Sequence, residues 1–211
     1  MTWLGHGCFR LRGRGATVVT DPYPPGLGMK LPRLEADVVT VSHQHPNHSH
    51  LEAVAKAGHA ISGPGEYEVA GVGVTGFPTY HDASGGAEKG ANTVYLIEID
   101  DVHVCHLGDV GHQLSEDQLE KMGTVDVLLV PVGGRHTLSA SQAAEVVRQI
   151  EPRIVVPMHF ALPGLKIELE PVERFLKEMG ADSVEAQPKL SVQAGSGDSE
   201  TRLVLLEARS L

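Results

Sequence analysis

The residues best suited to chemistry are three histidines within six positions, His43, His45 and His48. Neutral imidazole is the commonest protein ligand for zinc and related transition metals. His43 and His45 can point in one direction because alternate residues of an extended segment share a face. A polar, histidine-rich surface turn without function is the alternative interpretation. The spacing favours a metal site whose remaining ligands come from elsewhere in the chain.

The elements on either side of this cluster determine where it lies. Residues 37–41 (DVVTV) precede it and have the β-branched, nearly continuous apolarity of a buried strand. Ser49 and Glu52 form an S-x-x-E capping pattern, which predicts a helix over residues 49–58. The histidines therefore lie on a loop at the carboxyl end of a buried strand, where α/β proteins commonly bind ligands.

Three later strands are also predicted to end in residues that can bind metal. Because strand ends that point one way meet at one edge of a fold, we expect their side chains to join the first cluster. The combined set can hold two ions: His43, His45 and His81 for one, His48 and His159 for the other, and Asp109 between them. Two ions held roughly 3.5–4 Å apart activate water and stabilise a developing oxyanion.

Hairpins occur in both halves of the chain, and helices are inserted between the later strands. The other predicted strands cover residues 2–4, 8–11, 17–20, 66–69, 72–77, 92–99, 102–107, 125–130, 154–157 and 202–206. Helices are predicted after the capping residues Ser115 and Ser139 and from Pro171 onward. This order predicts an α/β (α+β) fold of two mixed sheets packed face to face with helices outside, in one domain spanning residues 1–211.

Two segments are predicted to be loops. Residues 82–91 (DASGGAEKGA) are small and polar, which is typical either of a solvated loop or of a mobile lid beside the site. Residues 194–198 (AGSGD) form the second predicted loop.

The composition limits the class of protein. A chain of 211 residues with 41% hydrophobic and 21% charged residues is typical of a soluble globular domain. The net charge of -10 argues against non-specific binding to nucleic acid or to an anionic membrane. Cys8 and Cys105, without a CxxC motif, are interpreted as buried free thiols in a reducing compartment, with a disulfide as the alternative. With no recognisable signal peptide or spanning segment, we expect a cytoplasmic protein that acts on small molecules.

The histidine and aspartate spacings resemble those of the metallo-β-lactamase-fold superfamily. Its signature is HxHxDH followed by a lone His, a lone Asp and a final His. The matching residues are His43, His45, Asn47, His48, His81, Asp109 and His159, with Asp21 matching the acid that ends an early strand. Five segments resemble a small branch of prokaryotic zinc-dependent hydrolases that is related to ascorbate-6-phosphate lactonases. These segments are 3–9 (WLGHGCF), 63–68 (GPGEYE), 106–109 (HLGD), 131–134 (PVGG) and 154–159 (IVVPMH).

This resemblance implies a four-layer αββα sandwich and a metal-dependent hydrolase. A metal-activated water would attack an ester, lactone or phosphodiester bond of a small substrate that can be anionic, so that the enzyme would be lactonase-like or phosphodiesterase-like. Zn²⁺ is the expected ion, at one or both positions, with Mn²⁺ or iron as alternatives because the ligands are mixed nitrogen and oxygen donors.

The resemblance also implies roles for individual residues. The metal ligands would be His43, His45, His48, His81, Asp109 and His159. Asp109 and Asn47 would lie nearest the reacting water, and Asp21 would orient a ligating histidine, although a solvated turn is the alternative for Asp21. His6 and His136 would contact the substrate; alternatively, His6 packs behind a ligand and His136 is an exposed loop residue.

Asn47 departs from the signature, because most members of the superfamily have aspartate there. Asparagine offers a neutral carbonyl oxygen and accepts no proton at ordinary pH. Uncompensated charge in a partly desolvated site is costly, so we expect the second ion to bind more weakly and turnover to be reduced. The alternative function is a catalytically weakened module that binds metal or a partner protein.

Overall fold

Two mixed β-sheets carry the fold of the described residues, which are 1–181, 183–195 and 200–209 of this computed structural model. The strands of the first sheet are Thr2–Gly5 (β1), Cys8–Arg12 (β2), Thr17–Thr20 (β3), Leu34–Val41 (β4) and Val54–Ser62 (β5). They lie side by side in sequence order. The pairs β1–β2 and β2–β3 are antiparallel, whereas β3–β4 and β4–β5 are parallel.

The second sheet contains the remaining described strands. They are Gly65–Val69 (β6), Val72–Tyr80 (β7), Ala91–Ile99 (β8), Val102–His106 (β9), Val127–Pro131 (β10), Ile154–Met158 (β11) and Arg202–Leu203 (β12). The spatial order is β12-β11-β10-β9-β8-β7-β6. Strands β6 to β9 form antiparallel hairpins, and β9 to β12 run parallel. The final strand is shorter than predicted, and residues 196–198 of the predicted loop lie outside the described residues.

The described part of the chain contains three α-helices, Glu116–Met122 (α1), Ala140–Ile150 (α2) and Glu173–Glu178 (α3). The sequence predicts each of them correctly. Ser115 and Ser139 form capping boxes with Gln118 and Gln142, so that the first backbone N–H groups of α1 and α2 have partners. No helix among the described residues is long and apolar enough to cross a membrane.

The two faces of the first sheet are buried in different ways. One face, with Trp3, Phe9 and Val38, packs in a single apolar cluster with the second sheet and with the helices. The opposite face, with Leu4 and Val39, forms a smaller cluster that is covered by irregular segments near residues 23–31 and 162–167. The structure therefore confirms the predicted sandwich of two mixed sheets, with the α-helices on the side of the second sheet.

The predicted helix over residues 49–58 is wrong. Residues Leu51–Ala53 form a single 3₁₀ turn, and the chain then continues as β5. The capping box does not form, because the Ser49 hydroxyl donates to the carbonyl of His45 at 2.8 Å. Parallel pairing with β4 gives the backbone of β5 its hydrogen bonds, and a Cβ at Gly58 would lie 2.5 Å from the carbonyl oxygen of Asp37. Tertiary pairing therefore outweighs a local helix signal.

Candidate metal centre

The predicted site residues come from loops that follow strands of both sheets. His43, His45, Asn47 and His48 follow β4, whereas Asp21, His81, Asp109 and His159 follow β3, β7, β9 and β11. His6 follows β1 in the Gly5-His6-Gly7 turn. The edge of the sandwich therefore gathers side chains that are more than 150 positions apart in the chain.

Asp109 is the centre of the cluster. Its side chain is almost fully buried, and its Oδ2 atom lies close to the ring nitrogens of four histidines. The distances to Nε2 are 3.2 Å for His48, His81 and His159 and 3.9 Å for His43. The structure thus brings together five of the six residues that the sequence predicts as ligands.

The convergent atoms form overlapping groups that could hold a metal ion. One group is His43, His81 and Asp109, and another is His6, His48 and His159; within each, one ligand atom per residue lies within 4.8 Å of the others. A third such group joins Asp21 to His43 and His48. His45 belongs to no such group found among the described residues.

His45 and Asn47 lie at the rim of the site. The His45 side chain is exposed, and its ring centroid is 6.0 Å from that of His43. Its Nδ1 atom accepts a hydrogen bond from the backbone N–H of Asn47 at 3.2 Å. The roles of His45 as a ligand and of Asn47 beside the reacting water remain predictions.

Asp21 contacts His48 directly and His43 through Ser42. Its Oδ2 atom lies 2.9 Å from Nδ1 of His48, and the carboxylate also accepts from the backbone N–H and the hydroxyl of Ser42 at 2.8 and 2.6 Å. The Ser42 hydroxyl lies 2.9 Å from Nδ1 of His43. With Nδ1 engaged in this way, each ring directs Nε2 towards Asp109. The contacts fit the predicted orienting role better than a solvated turn.

The Asn92 side chain holds the backbone of Asp109 by a hydrogen bond, and the sequence gives no signal for this role. Its Oδ1 accepts from the backbone N–H of Asp109 at 3.0 Å, and its Nδ2 donates to Leu107 O at 3.0 Å and to Thr79 Oγ1 at 2.8 Å. The intervening Gly108 has φ +58°, and a Cβ there would lie 2.5 Å from Asn92 Oδ1. Glycine is therefore required where this loop passes over the amide.

The charges of the cluster are mutually dependent. Burial would lower the pKa of His48, but the adjacent carboxylates of Asp109 and Asp21 raise it to about 10. Burial lowers the pKa of His43 to about 4. Although burial acts in the opposite direction, the nearby histidines hold the pKa of Asp109 well below its usual range. The Asp109 carboxylate is therefore ionised and His43 is neutral near pH 7, whereas His48 carries a proton that it would have to release when a metal ion binds.

A cavity of about 390 Å³ opens above the cluster. It is lined by His6, His43, Gln44, His45, Asn47, His48, His81, Lys89, Asp109, His136, His159 and Ile167. His136 is exposed at the cavity mouth, while His6 is buried at its base, so both predicted substrate contacts line it.

The 82–91 loop forms part of this cavity wall and is internally organised. The carboxylate of Asp82 accepts hydrogen bonds of 2.7–3.1 Å from four backbone N–H groups, those of Ser84, Gly86, Glu88 and Lys89. Lys89 Nζ donates to the carbonyl oxygens of Arg135 and His136 at 3.4 and 3.1 Å. Lys89 thus fastens the loop at the cavity mouth, and its opening as a lid stays a prediction.

The chain has clear relatives. Residues 1–159 match the β-lactamase superfamily domain family. A UPF0173 protein of Pyrococcus furiosus is 34% identical over 202 residues, which cover 85% of this chain and 90% of that protein. A UPF0173 metal-dependent hydrolase of Thermococcus onnurineus is 30% identical over 186 residues, covering 75% of this chain and 83% of the relative.

A solved structure agrees with these sequence matches. It is described as a Zn-dependent hydrolase of the metallo-β-lactamase superfamily from Thermotoga maritima, and it superimposes with a TM-score of 0.79 and 41% identity. The match covers 97% of this chain and 96% of that one. Fold, site and relatives agree, and the chain belongs to the metallo-β-lactamase superfamily.

Proposed function

We propose that this protein is a metal-dependent hydrolase that cleaves an ester, lactone or phosphodiester bond in a small substrate. The observation that carries the proposal is the convergence of four imidazole nitrogens on one carboxylate oxygen of Asp109, at 3.2–3.9 Å. The relatives named metal-dependent hydrolases support the same assignment. We also propose that residues 1–211 form one domain.

The residues present fit a zinc-type ion. Ligand atoms lie about 2.0–2.2 Å from tetrahedral zinc, which separates neighbouring ligand atoms by roughly 3.3–3.6 Å. The 3.2 Å distances from Asp109 Oδ2 to Nε2 of His81 and His159 are close to that separation. Within the described part of the chain, Oδ1 of Asp109 and Nδ1 of both histidines lack hydrogen-bond partners. Mixed nitrogen and oxygen ligands favour Zn²⁺, with Mn²⁺ or iron as alternatives.

Side chains of the protein position the attacking water and the substrate beside the proposed metal ion. When bound, a divalent ion supplies Lewis acidity and lowers the pKa of water from 15.7 to about 7. The ionised carboxylate of Asp109 can accept a hydrogen bond from the attacking water and hold it in place. Asp21 keeps the His48 ring oriented through its 2.9 Å contact with Nδ1. Asn47 can offer its amide to the substrate but cannot take up a proton.

The size and charge of the cavity favour a small anionic substrate. A volume of about 390 Å³ is within the range of pockets for small ligands. Among the described residues that line the cavity, Lys89 is the only lysine or arginine. Its contacts with the carbonyl groups of residues 135 and 136 hold the ammonium group at the mouth, beside His136. A carboxylate or phosphate on the substrate would be attracted there.

The proposed compartment is the cytoplasm. Cys8 and Cys105 are buried free thiols, which is the usual state of cysteines in reducing compartments. The compartment can be checked by fractionating cells that produce the tagged protein.

The test is hydrolysis by the Zn²⁺-loaded protein of three chromogenic substrates: a p-nitrophenyl ester, a bis(p-nitrophenyl) phosphodiester and a lactone with a pH indicator. We expect activity on at least one, and a loss of roughly 100-fold or more in Asp109→Asn. Asp101→Asn is the matched control, because Asp101 is exposed in the turn between β8 and β9 and should leave the rate unchanged. Absence of activity with Zn²⁺, Mn²⁺ and Fe²⁺ on all three substrates would support the metal-binding or partner-binding module instead.

A further inference from the structure

His6 is buried inside the cluster although it is not one of the six predicted ligands. Its side chain is only 1% exposed. Among the described residues, neither of its ring nitrogens has a hydrogen-bond partner. Buried polar groups are normally paired, because leaving one unpaired is costly. An imidazole in this state needs a partner that protein atoms do not supply.

The neighbours of His6 are two of the histidines that the sequence predicts as metal ligands. Its ring centroid lies 4.1 Å from that of His159 and 4.5 Å from that of His48. One ligand atom from each of the three residues lies within 4.8 Å of the other two. Asp109 Oδ2 lies 3.2 Å from Nε2 of both His48 and His159. Asp109 is not a member of this three-histidine group, but as a neighbour of two of its members it could add one oxygen to the three nitrogens, which makes four donors for a tetrahedral ion.

The backbone fixes His6 in this position at a cost. Its φ is +53°, a left-handed value that is unfavourable for a residue with a Cβ. Its carbonyl oxygen accepts from the Trp3 indole at 3.0 Å and from the backbone N–H of His159 at 3.3 Å. The next carbonyl, that of Gly7, accepts from Nε2 of His106 at 2.9 Å. Such strain is retained mainly where a functional site requires it.

We propose that His6 is a ligand of the second metal position, together with His48, His159 and Asp109. It would supply the donor that the superfamily signature places at residue 47, where this chain has asparagine. The inference rests on the proposed function, since it concerns the same metal centre. A site with three imidazoles and a single carboxylate favours borderline ions such as Zn²⁺ over Mn²⁺ or Mg²⁺.

The test is metal content and affinity, measured by equilibrium dialysis against Zn²⁺ and elemental analysis. We expect two Zn²⁺ per chain in the wild type and one in His6→Ala, with the second affinity weakened at least roughly 100-fold. His59→Ala is the matched control, because it also removes a histidine but His59 is exposed on β5 and does not line the cavity, and it should retain two. The inference is overturned if His6→Ala keeps both ions with unchanged affinity, or if the wild type binds one. A wild type that binds none refutes the proposed function itself.

A crystal structure of the wild type soaked with Zn²⁺ keeps the inference testable if His6→Ala does not fold. Anomalous scattering at the zinc edge would locate the ions without any substitution. We expect a His6 nitrogen about 2.0–2.2 Å from an ion that His48 and His159 also contact. A distance beyond about 3 Å would exclude ligation by His6.

Discussion

Replacing Asn92 with alanine should loosen Asp109 without substituting any proposed ligand. The Asn92 side chain is 1% exposed and makes three hydrogen bonds. Two of them hold the loop that carries Asp109: one from the backbone N–H of Asp109 and one to the carbonyl oxygen of Leu107. The third joins the amide to Thr79 Oγ1 on the neighbouring strand β7.

The magnitude follows from these contacts. A net contribution of about 1 kcal/mol per hydrogen bond gives about 3 kcal/mol for the three. The Asp109 N–H would stay buried without a partner, which adds to the cost, whereas the Leu107 carbonyl would keep the backbone N–H of Val110 at 3.4 Å. We therefore expect the free energy of unfolding to fall by about 3–5 kcal/mol. Zinc affinity should fall as well, because the Asp109 carboxylate would no longer be held against the histidines.

The assay is urea unfolding of the metal-free protein, followed by Zn²⁺ titration of the folded variant. Asn47→Ala is the matched control, since the Asn47 side chain is partly exposed and its loss should change unfolding by less than about 0.5 kcal/mol. If Asn92→Ala unfolds within about 1 kcal/mol of the wild type and binds Zn²⁺ equally well, Asn92 does not support Asp109.

Three further predictions concern the same region. Gly108→Ala should destabilise the fold by about 2–4 kcal/mol, because φ is +58° and the new Cβ would lie 2.5 Å from both Asn92 Oδ1 and Ser42 Cβ. Urea unfolding measures this change, and a variant as stable as the wild type would contradict the close approach. The N–H groups bound by Asp82 lower its pKa from 3.8 to about 2, so its stabilising contribution is complete above about pH 4 and is lost as the pH falls towards 2. The stability difference between wild type and Asp82→Asn should therefore shrink over that interval in acid titrations followed by circular dichroism, and a constant difference would refute this account. Zn²⁺ at 100 times its dissociation constant should stabilise the protein by about 2.7 kcal/mol per site, read as a fall in melting temperature after chelation; an unchanged melting temperature would count against a native metal site.

Local signals predicted most of the secondary structure. The hairpins around residues 70–71 and 100–101 and the capping boxes at Ser115 and Ser139 depend on neighbouring residues, and the structure contains all of them. The helix prediction for residues 49–58 is wrong because it rests on a local signal. The strand that forms instead depends on pairing with β4, which lies earlier in the chain. Leu51, the first residue of the 3₁₀ turn that forms there, is 37% exposed.

The sequence by itself determined the types of side chain in the site and their position at strand ends, since both follow from residue identity and from strand periodicity. Only the tertiary structure decided which of them meet. His45 belongs to the signature but lies at the rim, whereas His6 is not among the signature ligands and lies at the base of the cavity. The reason is physical: ring nitrogens converge only when loops from different strands are brought to one edge, and side chains such as Asn92 and Ser42 then fix each loop through contacts that no local pattern encodes.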